Sequence, residues 1–296
     1  MVRHYYFRRM QMNWFEKLTN YLDYKIDTPV MFGAFHILCI AMVIGLTVLL
    51  CKRYRKCDDK TFRTILFISW SAMVLLEMYK QINFSFGISG DDAVWDYSWY
   101  AFPFQFCSTP IYILPFAIFG KDGKVRDAVL AFMATFSLFA GLTVYVYPEQ
   151  VFISTLGIDI QTMVHHGLQV VLGIYITVRN KERLGWKFMR SGIYVLGALI
   201  LSAIIMNEVA YYAFMHFGIN ETFNMFFISR HYECTLPLLG SFADKLPNAL
   251  VVLIYFSTMV LAGFVVMQIQ RGIIYLIENK IFKGEDNEKE KKTEIC

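Results

Sequence analysis

Charge is what this sequence lacks most. Of its 296 residues only 18% are Asp, Glu, Lys or Arg, against roughly 25% in an ordinary soluble domain. A soluble globule of this length could not cover its surface with so few. Paired cysteine motifs are missing as well. Cys39, Cys51, Cys57, Cys107, Cys234 and Cys296 form no CxxC and no even framework, so neither structural zinc nor a disulfide core is expected. No basic block interleaved with aromatics occurs, which argues against a nucleic-acid partner. Arg3, Arg8 and Arg9 are not followed by an apolar stretch before Asp23 and Lys25, so a cleaved secretory signal is not expected. Cys296 lies in no prenylation motif. Internal repeats are absent, and no gap between apolar runs could hold a separate soluble domain.

What is present is apolar. Hydrophobic residues make up 56% of the chain, with 27 Phe and 18 Tyr. They gather in seven runs, near 31–51, 63–84, 101–119, 126–147, 161–179, 190–215 and 246–270. About 20 apolar residues are needed for one helix to cross the hydrocarbon core, so the expected fold is all-α, a polytopic bundle of about seven spans. Three parts follow: an N-terminal segment, 1–30; the transmembrane domain, 31–270; and a charged tail, 271–296, with 283–296 expected to be disordered. Trp14, Phe15, Leu18, Tyr21 and Leu22 recur at helical spacing and predict an interfacial helix.

The few charges alternate between loops. Lys52, Arg53, Arg55, Lys56 and Lys60 follow the first run; Lys121, Lys124 and Arg126 the third; Arg179, Lys181, Arg183, Lys187 and Arg190 the fifth. Residues 85–100 and 148–160 hold no Lys or Arg, and the loop after the sixth run holds only Arg230 and Lys245. By the positive-inside rule the C-terminus is cytoplasmic and the N-terminus outside. The Lys and Arg of the N-terminal segment point the other way.

Polar side chains inside spans are costly, so they are candidates for function. Here they share one depth. Cys107 is expected about 9 Å, and His165 and His166 about 6–8 Å, below the outer end of their helices at 1.5 Å per residue. Glu77, Lys80 and Gln81 in the second run, and Asn207 and Glu208 in the sixth, fall at the same level. This layer reads as a cavity open to the outer face. Each member also has a plainer explanation. Glu77 and Lys80, three apart, could simply neutralise each other. His36 reads as interfacial. Gln105, Gln169, Asn207 and Glu208 could join helices. Asp91, Asp92 and Asp96 read as a solvated loop. His216, Glu221, His231, Glu233 and Cys234 fit no standard metal spacing.

Cys107 with a histidine at its depth offers more: a nucleophile and a base. The imidazole can take the thiol proton, and the thiolate attacks. Neighbouring residues on a helix point about 100° apart, so only one of His165 and His166 is expected to face Cys107.

At these residues the chain resembles a known family. Pro103-Phe104-Gln105-Phe106-Cys107, His165-His166-Gly167-Leu168, Asn207 and Thr222-Phe223-Asn224-Met225-Phe226 are similar to the bacterial YwaF-like membrane proteins, which are related to the transmembrane protein 164 family of acyltransferases. The resemblance covers most of the chain. It implies Cys107 as the acyl-carrying nucleophile and His166, the histidine before glycine, as its base. More distant relatives, the androgen-induced fatty-ester hydrolases, share the His-Gly element with threonine as nucleophile. Bacterial relatives often carry His-Leu-Cys, and Gln105 stands where that histidine would be.

The resulting expectation is a lipid acyltransferase of the bacterial plasma membrane that works through a thioester. Membrane lipids are its substrate, and no metal or nucleotide cofactor is implied. His165, Gln105, Asn207 and Glu77 are supporting candidates. Two alternatives stay open: a lipid esterase, if water accepts the acyl group, and a transporter or channel using the intramembrane His, Glu and Lys. A membrane scaffold or receptor is a third class.

Overall fold

The computed structural model describes residues 14–89, 92–236 and 239–293. Arg3, Arg8, Arg9, Asp91 and Cys296 lie outside the described residues, as do the side chains of Phe15 and Asp92.

The long apolar runs fold as helices because a backbone in lipid must satisfy its own hydrogen bonds. In chain order they are α1 (Trp14–Leu22), α2 (Ala34–Arg53) and α3 (Asp59–Asn83), then a two-stranded antiparallel hairpin of β1 (Phe86–Ser89) and β2 (Asp92–Trp95). There follow α4 (Pro110–Ile118), α5 (Lys124–Phe132), α6 (Leu138–Val146), α7 (Leu156–Arg179) and α8 (Trp186–Phe217). The chain ends with a single turn, α9 (Gly240–Ala243), and α10 (Asn248–Thr293). Met133–Ser137 joins α5 to α6 as a π-helical stretch, so the two make one continuous rod.

Five of these segments are long and apolar enough to cross a membrane: α2, α3, the α5–α6 rod, α8 and α10 up to Ile277. The fifth expected span is α7, at 24 residues. The third differs from expectation. Its run is broken into two short 3-10 turns, Trp99–Ala101 and Phe106–Ser108, followed by the nine residues of α4. At the other end, α10 continues as backbone helix to Thr293, where a disordered tail was expected.

α7 runs through the middle. Most of its residues are buried, including Asp159, His165, His166 and Gln169. The outer helices bury one face only: α2 buries His36, Cys39 and Leu50, while Ile37, Leu38, Met42, Ile44 and Leu49 stay exposed. Polar inside and apolar outside is the pattern of a chain solvated by lipid, and this is a multi-pass integral membrane protein.

The bundle has two chemically distinct ends. The hairpin end carries β1 and β2, α1 and the chain after α8. There Lys25 pairs with Thr155, and Leu156 N donates to Tyr24 O at 3.1 Å, so the N-terminal segment closes over the start of α7. The basic end carries the Lys- and Arg-rich loops.

Candidate functional site

The break in the third run sets the site. Pro110 opens α4 and has no N–H, so it cannot satisfy the carbonyl three residues back. That carbonyl belongs to Cys107. His165 Nε2 donates to it at 3.0 Å and Gln169 Nε2 at 2.7 Å. The two donors are four apart on α7 and therefore on one face. Gln169 Oε1 in turn accepts from Ser137 Oγ at 3.4 Å, within the π-helical stretch.

These bonds fix both imidazole tautomers. His165 faces a carbonyl with Nε2, so that nitrogen carries the proton, and Nδ1 is buried without a partner. His166 faces the Thr162 carbonyl with Nδ1 at 2.7 Å. A carbonyl only accepts, so Nδ1 is the donor, and Nε2 of the neutral ring keeps its lone pair. His166 is thus the ring with a base nitrogen free of the local helix. Two glycines let α7 pack this closely. A Cβ at Gly167 would lie 2.7 Å from the Tyr145 hydroxyl, and one at Gly141 would lie 2.7 Å from the His166 carbonyl.

Cys107 is partly buried and opens on a cavity of about 450 Å³ at the hairpin end. Lys80, Tyr100, Gln105, Thr162, Asn224 and Phe227 also line it. Lys80 Nζ is 2.8 Å from Glu77 Oε1, so the expected ion pair forms and borders the cavity. Gln81 Nε2 donates to the same Glu77 oxygen at 2.7 Å and to the Ala101 carbonyl at 2.9 Å. The Tyr97 hydroxyl donates to Gln81 Oε1 at 2.7 Å. Burial first, and the Glu77 carboxylate second, push that hydroxyl up to about 12, so it stays a donor.

The expected polar layer is only partly assembled. Among the described residues no hydrogen bond joins the Cys107 thiol to either imidazole; the contact from His165 is to the Cys107 backbone. Gln105 and Asn207 were expected to orient the histidine or the substrate. Instead both grip the loop after α8. Asn207 Nδ2 donates to the Met225 carbonyl at 3.0 Å and its Oδ1 accepts the Met225 N–H at 2.7 Å. Gln105 accepts the Phe226 N–H at 3.0 Å and donates to the Asn224 carbonyl at 3.1 Å. The reason is need. Met225 and Phe226 are fully buried and Phe226 is left-handed, with φ 60°, so their backbone has no regular ladder and must find partners.

Glu208 leaves the layer altogether, bound to Arg230 at 2.7 Å and His231 at 3.2 Å, while His231 stacks on Tyr211. His36 is not interfacial: it is fully buried among Phe32, Tyr145 and Phe152. Gln169, read as a plain helix contact, is the residue sequence reasoning missed. The only available signal was its place four after His165. Among the described residues no group of three or more His, Cys, Asp or Glu is placed to hold a metal ion.

Searches of curated proteins and of solved structures find no match to this chain. A family model does match, over residues 31–268, which takes in the cavity, Cys107, both histidines and every expected span, and the chain belongs to the TMEM164 family.

Proposed function

We propose that this chain is a membrane lipid acyltransferase, with Cys107 as the acyl carrier and His166 as its base. The observation that carries the reading is the His166 tautomer. Its Nδ1–H is held by the Thr162 carbonyl, Thr162 lines the same cavity as Cys107, and Nε2 is left to accept a proton. His166 Nε2 takes the Cys107 thiol proton, and the thiolate attacks the ester carbonyl of a lipid. The tetrahedral intermediate collapses, the lipid alcohol leaves with that proton, and a thioester remains. An acceptor hydroxyl then gives its proton to His166, attacks the thioester, and releases the thiolate, which is reprotonated. With water as acceptor the same steps make an esterase. Catalytic hydrogen bonds are commonly long before substrate binds, so the open thiol–imidazole geometry fits a resting site. Gln169 and His165 act as positioning residues through the Cys107 carbonyl.

The test is incubation of the purified chain with phospholipid bearing a labelled acyl group, followed by mass spectrometry. A hydroxylamine-labile thioester on Cys107 is expected. Cys107→Ala should abolish it, while Cys39→Ala and Cys234→Ala should leave it. His166→Ala should slow it by about 10²–10⁴, the usual worth of a general base. Full activity in Cys107→Ala would overturn the assignment.

The loop charges support a cytoplasmic basic end and a bacterial plasma membrane location. Glu149→Cys should then react with an impermeant thiol reagent on intact cells, and Lys56→Cys only after permeabilisation. The reverse pattern would turn the cavity inward.

A further inference from the structure

The basic end holds a second cavity, of about 590 Å³, between the first turns of α5 and α8. Lys124, Arg183, Lys187 and Arg190 line it, with one carboxylate, Asp127. That carboxylate is taken. Arg183 holds it with two parallel bonds, at 2.9 and 2.5 Å. Lys124, Lys187 and Arg190 are exposed at the cavity and have no anionic partner among the described residues. Three uncompensated cations around one concave space repel each other, and an anion relieves that repulsion.

The surroundings say what kind of anion. α8 has 32 residues, so it is about 48 Å long at 1.5 Å per residue. The hydrocarbon core is about 30 Å thick, so the ends of α8 stand in the headgroup layers. Exposed Trp186 and Tyr194 mark this end in the way interfacial aromatics do. Lys187, Arg190, Tyr194, Leu201 and Ile205 fall within about 60° of one another around α8, at 100° per residue. Below the two cations, the last three are exposed and lead into the apolar zone. One face thus offers cations at headgroup level and an apolar track beneath them, the profile of an amphiphile.

We propose that this cavity binds a membrane lipid with a net negative, phosphate-bearing headgroup, separately from the Cys107 cavity at the opposite end. Arg190, Lys187 and Lys124 contact the phosphate, and the acyl chains lie along Leu201 and Ile205. A zwitterionic headgroup fits less well, because its own ammonium would add to the uncompensated cations.

The experiment is native mass spectrometry of the full chain from detergent, titrated with phosphatidylglycerol, phosphatidylcholine or inorganic phosphate. Retention of phosphatidylglycerol over phosphatidylcholine is expected, with inorganic phosphate unable to compete. Each cation removed, as in Lys187→Gln with Arg190→Gln, should weaken binding about fivefold. Lys52→Gln with Lys56→Gln, at the same end but outside the cavity, should not. Ala128→Trp keeps every charge and fills the cavity, and it should abolish retention. The proposal fails if Ala128→Trp binds like the parent, if the two double variants lose binding equally, or if inorganic phosphate displaces the lipid.

Discussion

The two ends of the bundle hold irregular backbone by opposite means. At the hairpin end the grips are neutral amides. Gln105, Asn207 and Asn224 bind the buried loop after α8, and Gln169 binds Cys107. At the basic end the grips are guanidinium groups. Arg63 donates to the Ile118 and Gly120 carbonyls, both at 2.7 Å, and pairs with Asp59 and Asp122. Arg126 bonds Asp59, Asp122 and the Ala117 carbonyl. Arg179 donates to the Cys57 carbonyl and lies over the Phe62 ring. The difference follows from solvent. Where water reaches the carboxylates, a charged side chain keeps part of its hydration. Inside the bundle a full charge would be costly to bury, and a neutral amide can satisfy one donor and one acceptor at once.

The exception should give the largest effect. Glu77 and Lys80 are the charged pair at the hairpin end, nearly buried at 8% and 16% side-chain exposure. Glu77→Gln strands the ammonium and should cost about 3–5 kcal/mol. Adding Lys80→Met to that variant should restore part of the loss. Equal melting temperatures for the parent, the single and the double variant would show that the pair behaves as if solvated.

Next comes Asn207→Leu. It leaves the buried N–H and C=O of Met225 without partners, at about 1–3 kcal/mol for each group. Thermal melting should show that loss with little dependence on salt. Were added salt to change it strongly, the contrast between neutral and ionic grips would collapse.

Arg183→Gln probes the ionic side. Its pair with Asp127 is half-exposed, at 50% and 35%, so the loss should be at most about 1 kcal/mol. Salt near 1 M should erase it by screening. A loss that persists at high salt would count against surface electrostatics here.

The smallest effect is a pH dependence. Asp58 caps α3, accepting the Thr61 N–H at 2.6 Å, and that bond holds its carboxyl below the ordinary 3.8. A carboxyl lowered by folding adds stability that is present above the unfolded value and lost as pH falls through the folded one. The advantage of the parent over Asp58→Ala in melting temperature should therefore exist at neutral pH and shrink in acid.

Much of this was legible in the sequence. Six of the seven apolar runs are continuous helices, because run length is a direct demand of the bilayer. The Glu77–Lys80 pair was legible for a similar reason, since three residues along one helix fix the contact locally. The third run misled because its composition is apolar throughout. Pro103 and Pro110 were the available sign that it could not be one helix. The partners of Gln105, Gln169 and Asn207 were not legible at all. Each is a backbone group on another element, and backbone groups carry no side-chain signature. A polar residue at membrane depth says that something must be satisfied, without saying what.

The π-helical stretch Met133–Ser137 makes the α5–α6 rod intolerant of indels. A wide turn holds one residue more than an α-helical path would. Deleting a residue there would restore the ordinary period and rotate everything after it by about 100°. Leu142 would then arrive where Gly141 now sits, and a Cβ at that place meets the His166 carbonyl at 2.7 Å. Ser137 would swing off Gln169, and the Ala134 carbonyl would lose the geometry that receives Gln270 Nε2 from α10 at 2.9 Å. Among homologous chains, length variation should therefore collect in the loops at either end of this rod and be missing between Ala131 and Gly141.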